Sequence, residues 1–253
     1  MNILKGICIA FAMYSKLWVP QFAWKEENMK YAIGFFPFVG AVLGVVFFGW
    51  NSLCAWWQLP DNVRAIGSVL VLVLISGGIH LDGFADTVDA ISSYASREKR
   101  LEILKDPHIG AFGVIGLIVY FLGIYSAFCG ISSKRQVVLA TGIFFQSRIM
   151  SAIGVVTIRN AKGEGTLYAF QSPAHKHILR IWLLLLLLLS LGYYYFFGGL
   201  TKTGVIAGTG AVVYGYYLLM SKKRFGGITG DLAGYFLTLL EGIWLLEICI
   251  MAG

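Results

Sequence analysis

Seven long apolar segments most constrain what this chain can fold into. About 20 apolar residues in a helix cross the hydrocarbon core of a bilayer, where only helices and closed barrels satisfy every backbone polar group. The chain is therefore predicted to be all-α, a polytopic transmembrane helical bundle with about seven spans. The segments are residues 31–57, 64–81, 110–131, 136–158, 178–200, 203–220 and 232–251.

The composition agrees with a membrane protein. Of the 253 residues, 58% are hydrophobic and 13% are charged, whereas soluble domains carry about 25% charged residues. We expect one integral-membrane domain over residues 1–253, with Met1 retained because no signal-peptide cleavage site is evident. Residues 3–19 are apolar but contain Lys5 and Lys16. They are predicted to form an interfacial helix, with an eighth span as the alternative.

Basic residues in the loops predict the orientation of the chain. With seven spans, one face carries thirteen basic residues and the other face four. Positively charged loops stay in the cytoplasm, so the first face is predicted to be cytoplasmic, and nucleic-acid binding is not needed to explain the net charge of +7. The thirteen are Lys25, Lys30, Arg97, Lys99, Arg100, Lys105, Arg159, Lys162, Lys176, Arg180, Lys222, Lys223 and Arg224. The four are Arg64, Lys134, Arg135 and Lys202.

Three aspartates follow the second predicted span, in the segment GGIHLDGFADTVDA at residues 77–90. Asp82, Asp86 and Asp89 are spaced i, i+4 and i+7, which places them on one face of a helix. A cation would relieve their repulsion, and carboxylate oxygens suit Mg²⁺, which commonly also binds substrate phosphates. The alternative is an ordinary acidic loop beside the membrane, but the glycine, alanine and apolar residues around the acids disfavour a merely solvated face.

Two more polar clusters fall on the predicted cytoplasmic face. Residues 103–113, ILKDPHIGAFG, contain Lys105, which can neutralise a phosphate, and Asp106, which can join a metal site; a loop before a helix is the alternative. Residues 224–231, RFGGITGD, form a glycine-rich turn before a helix, and such a turn can bind anions. Asp231 is a candidate metal ligand or, alternatively, a helix cap. The candidate ligand-binding residues of both clusters are Asp106, Gly226, Gly227, Thr229 and Gly230.

Arg148 and Glu241 are charged residues inside predicted spans. A charge at such depth costs several kcal/mol unless it is paired or hydrated, so it indicates a functional site by default. Two interpretations remain open: a structural ion pair between the two residues, or contact between Arg148 and a substrate phosphate. The second makes Arg148 a catalytic candidate.

These motifs together resemble the cobalamin synthase (adenosylcobinamide-GDP ribazoletransferase) family. The resemblance rests on FFPFVGAVLG, GGIHLDGFADTVDA, LKDPHIGAFG, the Ser-Arg pair at 147–148 and GGITGD, and it covers nearly the whole chain. It implies a bacterial inner-membrane enzyme with a cytoplasmic active face. The implied reaction transfers the adenosylcobinamide phosphate of adenosylcobinamide-GDP to α-ribazole or its 5′-phosphate, releases GMP and requires Mg²⁺.

The resemblance also implies roles for the candidate residues. Asp82, Asp86 and Asp89 would hold one or two Mg²⁺ ions against the diphosphate, and one carboxylate, for example Asp89, would accept the proton of the ribazole hydroxyl. Lys105 and Arg148 would add positive charge where negative charge develops. The sequence does not specify the oligomeric state, and a homo-oligomer is compatible with it.

Two other functions stay open from the residues alone. A CDP-alcohol-type phospholipid head-group transferase also uses aspartates and a divalent ion at the membrane face, but here position 86 is Asp rather than Arg, and the rest of that motif does not follow. A secondary transporter places acids at the bilayer midplane, often within repeats, whereas these acids cluster at one face and no repeat is evident.

Overall fold

The computed structural model describes residues 2–24, 26–29, 31–161 and 173–251, and the predicted all-α class is confirmed. Within these ranges the only β-structure is an isolated bridge between Asn160 and Ile228. A π-helical turn at Ser221–Phe225 leads into the glycine-rich turn. The α-helices are α1 (Asn2–Tyr14), α2 (Glu26–Met29), α3 (Ala32–Trp56), α4 (Asp61–Ser76), α5 (Ile79–Ser92), α6 (Arg97–Ile103), α7 (Ala111–Gly130), α8 (Lys134–Thr157), α9 (Pro173–Met220) and α10 (Gly230–Ile250).

The described helices indicate a multi-pass membrane protein. Five of them are long and apolar enough to cross a bilayer, namely α3, α7, α8, α9 and α10. The pair α4 and α5, which meet at a 93° bend, would add a sixth span. The apolar helix at Ile3–Tyr14 is about 18 Å long at 1.5 Å per residue, shorter than the hydrocarbon core of about 30 Å, which favours the interfacial helix over an eighth span.

The predicted spans at 178–200 and 203–220 both lie within α9, which consists of two helices joined across a kink, and the exact count of about seven spans stays a prediction. The dihedral angles of α9 are non-helical at Gly199. Arg135 donates hydrogen bonds to the carbonyl oxygens of Phe197 (2.8 Å) and Gly198 (3.2 Å). A basic side chain on the last carbonyls is typical of a helix end, so the first half of α9 ends at Gly198.

Small residues set the spacing of the central helices. On α3, a Cβ atom at Gly40 would lie 2.0 Å from the carbonyl oxygen of Phe144 on α8. On α5, a Cβ atom at Gly83 would lie 2.8 Å from the Cα atom of Asp231 at the start of α10. Such close approach of helix backbones is how small residues stabilise bundles in membranes. The second contact brings the predicted acid stripe of α5 against the beginning of α10.

Only some of the basic loop residues that predict the orientation lie within the described part of the chain. Lys25, Lys30 and Lys162 lie outside the described residues, as does the side chain of Lys176. The cytoplasmic orientation of the acid-bearing end of the bundle therefore stays a prediction from the sequence.

Candidate functional site

The aspartates of α5 face the end of the bundle where α7 and α10 begin. Asp82 is exposed, and Asp86 and Asp89 are half-buried. The carboxyl group of Asp86 lies within electrostatic reach of Asp82, Asp231, Asp89 and Asp106. The structure thus brings together acids from three segments that are far apart in the sequence. Carboxylates crowded in this way repel one another unless a proton or a cation intervenes.

Asp89 differs from its two neighbours because both of its oxygens are already hydrogen-bonded. The backbone N–H groups of Gly110 and Gly113 donate to them at 2.8 and 2.9 Å. These N–H groups belong to the start of α7, where no carbonyl within the helix can accept them. The sequence does not predict this contact, since 21 residues separate Asp89 from Gly110. A role of Asp89 as metal ligand and base stays a prediction. In that role its carboxylate would bind the metal ion or the proton while it also accepts the hydrogen bonds from α7.

Replacement of Asp89 by Ala is expected to lower the free energy of unfolding by about 1.5–3 kcal/mol, because two helix N–H groups lose a charged acceptor. Unfolding of the purified protein in detergent would measure this loss. Asp82→Ala is the matched control on the same helix, and its exposed side chain predicts a change within about 0.5 kcal/mol. Equal stability of the two variants would contradict the capping role.

The glycine-rich turn is held in place by the segment that follows α8. Ile228 N–H donates to Arg159 O, and Ala161 N–H donates to Ile228 O, each at 2.9 Å. Thr229 caps α10 by accepting a hydrogen bond from the N–H of Leu232 at 3.2 Å. The cap is therefore Thr229, and Asp231 is not needed for it.

The surface of this turn is open where α10 begins. Gly226 has a φ of 75°, a value that favours glycine. Gly230 is exposed, and a Cβ atom there would meet nothing within 4 Å. Asp231 lies beside Gly83 of α5. The first N–H groups of α10 thus stand next to the acids, in a position suited to an anion.

Arg97 on α6 lies against this turn, although nothing in the sequence predicts the contact. The basic sequence SREKRLEILK at residues 96–105 predicts a short amphipathic helix on anionic lipid, and α6 confirms the helix. However, a Cβ atom at Gly226 would lie 2.1 Å from the guanidinium carbon of Arg97. This side chain therefore faces the glycine-rich turn, and contact of α6 with lipid stays a prediction.

Lys105 and Asp106 are exposed after the end of α6. The backbone N–H of His108 donates to Oδ1 of Asp106 at 3.0 Å, and the ring Nδ1 of His108 lies 2.8 Å from the same oxygen. These contacts lower the pKa of Asp106, which keeps its carboxyl group charged at neutral pH. Asp106 thereby adds negative charge at the edge of the cluster.

Arg148 lies in the interior of the bundle, where its side chain is 2% exposed. Its Nη1 atom donates to Oε1 of Glu241 at 2.6 Å and to the carbonyl oxygen of Phe144 at 2.8 Å. Ser147 donates to the same Glu241 oxygen at 2.7 Å. The structure therefore contains the ion pair that sequence analysis left open. Contact between Arg148 and substrate stays a prediction.

The carboxylates of this cluster suit a Mg²⁺ site that substrate phosphates and water complete. Within the described ranges, no three His, Cys, Asp or Glu side chains are arranged to hold one ion between them. Mg²⁺ usually binds through one or two carboxylates, with water and substrate phosphates as its other ligands. The carboxylates of Asp82 and Asp86, which accept no hydrogen bond from the other described residues, fit such a site. The described residues do not form a site in which protein side chains alone surround the ion.

Comparison with known proteins agrees with the motifs. A family model described as "Cobalamin-5-phosphate synthase" matches residues 6–250. A protein of Lachnoclostridium phytofermentans named adenosylcobinamide-GDP ribazoletransferase is 42% identical, over 100% of this chain and 96% of its own length. Relatives of the same name from Treponema denticola and Clostridium perfringens are 32% identical (94% of this chain, 95% of the relative) and 30% identical (96% and 98%). No solved structure matches. The chain belongs to the cobalamin-5-phosphate synthase family.

Proposed function

We propose that this protein is an adenosylcobinamide-GDP ribazoletransferase. It would transfer the adenosylcobinamide phosphate moiety of adenosylcobinamide-GDP to α-ribazole or its 5′-phosphate and release GMP. The observation that carries the proposal is the meeting of Asp82, Asp86, Asp106 and Asp231 at one end of the bundle, beside the glycine-rich turn. The shared name of the full-length relatives supports the reaction and the substrates.

The chemistry requires that a diphosphate approach a group of carboxylates. Mg²⁺, when bound, would screen this repulsion and stabilise the charge that develops on the departing GMP phosphate. Asp82 and Asp86 would hold and orient it, since their oxygens are the least committed of the α5 acids. The first N–H groups of α10 and the ammonium group of Lys105 would face the phosphate oxygens.

The transfer exchanges one phosphorus–oxygen bond for another. The 5′-oxygen of α-ribazole would form a bond to the phosphorus that carries cobinamide, and the bond from this phosphorus to the GMP phosphate would break. A carboxylate would accept the hydroxyl proton. Asp82 or Asp86 suits this role better than Asp89, whose two oxygens already accept hydrogen bonds from α7.

The basic loops support a cytoplasmic active face in a bacterial inner membrane, where nucleotide substrates are available. A transporter is not favoured, because the acids lie at the end of the bundle. A phospholipid head-group transferase is not favoured either, because the relatives carry a different activity in their names.

The test is GMP release by the purified protein in phospholipid vesicles supplied with adenosylcobinamide-GDP and α-ribazole. Release is expected with Mg²⁺, is expected to stop with EDTA, and is expected to return when excess Mg²⁺ is added. CDP-diacylglycerol is the control substrate and is expected to release no CMP. Absence of GMP release under all conditions, or turnover unaffected by EDTA, would contradict the reaction or its metal requirement respectively.

A further inference from the structure

A polar pocket of about 400 Å³ lies beside Asp82, between the end of α1 and the turn that joins α4 to α5. Ser15 and Lys16 line one side of it, and Gly77, Gly78 and Asp82 line the other. From the sequence, Lys16 was notable only for interrupting an apolar segment. The fold instead brings it to the acid-bearing end of the bundle.

The position of Lys16 is fixed by its neighbours. Its backbone N–H donates to the carbonyl oxygen of Ile75, the penultimate residue of α4, at 2.8 Å. Tyr14 is the last residue of α1. The centroid of its ring lies 4.2 Å from the ring centroid of Phe36 and 6.0 Å from that of His80. His80 precedes Asp82 by two residues on α5. The end of α1 is therefore anchored to the helix that carries the acids.

The side chain of Lys16 crosses the turn at Gly77. A Cβ atom at Gly77 would lie 2.5 Å from Cγ and 2.6 Å from Cε of Lys16, and the φ of Gly77 is 64°. Both facts require glycine, since a larger residue would displace the lysine stem and strain the turn. A Cβ atom at Gly78 would meet nothing within 4 Å, so the pocket stays open on that side.

The ammonium group of Lys16 has no role in holding the fold together. The side chain is exposed, and among the described residues no acid forms an ion pair with it. A lysine held by its backbone and stem, with its charge left free beside a carboxylate, suits an anion bound between the two. A phosphate ester held through Mg²⁺ on the Asp82 side would accept hydrogen bonds from an ammonium group on the other side.

We propose that Lys16 binds the diphosphate of the nucleotide-bearing substrate in this pocket, so that α1 completes the active site. This inference rests on the proposed function for the identity of the substrate. A phosphate could also belong to an anionic lipid, because α1 lies where an interfacial helix would. The pocket favours the substrate because its lining is mainly polar and includes Asp82, which would repel a lipid phosphate that lacks a metal ion.

The first experiment compares Lys16→Ala and Lys16→Arg with Lys5→Ala, a change on the same helix outside the pocket. Kinetics of GMP release are measured in neutral phosphatidylcholine vesicles. Lys16→Ala is expected to reduce kcat/KM for adenosylcobinamide-GDP roughly 10- to 100-fold, the range of one charge-assisted hydrogen bond. The KM for α-ribazole is expected to stay unchanged, and Lys16→Arg is expected to recover most of the loss.

Three outcomes would overturn the inference: a Lys16→Ala variant as active as Lys5→Ala, an equal rise in KM for both substrates, or a defect seen only in vesicles that contain phosphatidylglycerol. The last would assign Lys16 to lipid. A second measurement is independent of turnover, namely titration of the protein with inorganic pyrophosphate and Mg²⁺. Binding that Lys16→Ala weakens at least tenfold supports the inference even if GMP release fails, whereas unchanged binding contradicts it.

Discussion

Asp82→Asn is expected to abolish most GMP release while leaving the protein folded. Asp82 is exposed at the rim of the pocket that contains Lys16, and no described residue forms a hydrogen bond with its carboxylate. The amide has nearly the same shape but no charge. It would therefore bind Mg²⁺ poorly, and the charge of the substrate phosphate would not be neutralised by the metal ion. We expect kcat/KM to fall by about 100- to 1,000-fold, as for the removal of one electrostatic group from an active site.

The measurement combines steady-state kinetics over a Mg²⁺ titration with thermal unfolding of each variant. Glu102→Gln, which removes an exposed acid of α6 paired only with Lys99, is the control and is expected to keep full activity. Raised Mg²⁺ should recover part of the Asp82→Asn loss if the carboxylate holds the metal. Full Mg²⁺-dependent turnover of Asp82→Asn would remove the central assignment of the site.

Substitutions of Asp82 and Asp89, which lie on the same helix, are expected to distinguish a functional role from a structural one. Both residues belong to the stripe that the spacing i, i+4 and i+7 predicts, and the sequence makes them equivalent. The structure distinguishes them, because Asp89 caps α7 while Asp82 faces an open pocket. One substitution should therefore cost mainly activity, and the other should cost stability as well.

Most of the helices could be predicted because their signal is local. A run of about 20 apolar residues identifies a span without knowledge of its neighbours, and α3 at Ala32–Trp56 agrees closely with the predicted 31–57. The exact number of spans is harder to predict where backbone angles decide it. Glycines at 77, 78 and 199 adopt non-helical angles, and the sequence does not show whether such a glycine bends a helix or ends it.

The contacts that complete the site could not be predicted, because they join distant segments. Lys16 meets Gly77, and Arg97 meets Gly226, only after the bundle has packed. Each glycine is visible in the sequence as a turn residue, but the side chain that covers it is not. Clusters of acids and glycines could therefore be found from the sequence, whereas the basic residues that face them needed the structure.

Arg148→Met is expected to destabilise the bundle by about 3–5 kcal/mol, because it leaves Glu241 charged and unpaired in the interior. The two side chains are 2% and 6% exposed and lie 2.6 Å apart. Replacing both partners by apolar residues, as in Arg148→Met with Glu241→Leu, should restore most of the stability, since a buried ion pair and a well-packed apolar pair are often similar in free energy. Ser147 would keep its hydrogen bond to the carbonyl oxygen of Phe144.

Activity of this double variant decides the role of Arg148. Glu241 follows Asp231 by ten residues on α10, which is about 15 Å along the helix, so an arginine that pairs with Glu241 does not extend to the acids. We therefore expect the refolded double variant to release GMP at a rate within about tenfold of the wild type. A double variant that unfolds like the wild type but releases no GMP would show that Arg148 leaves Glu241 to bind phosphate during the reaction.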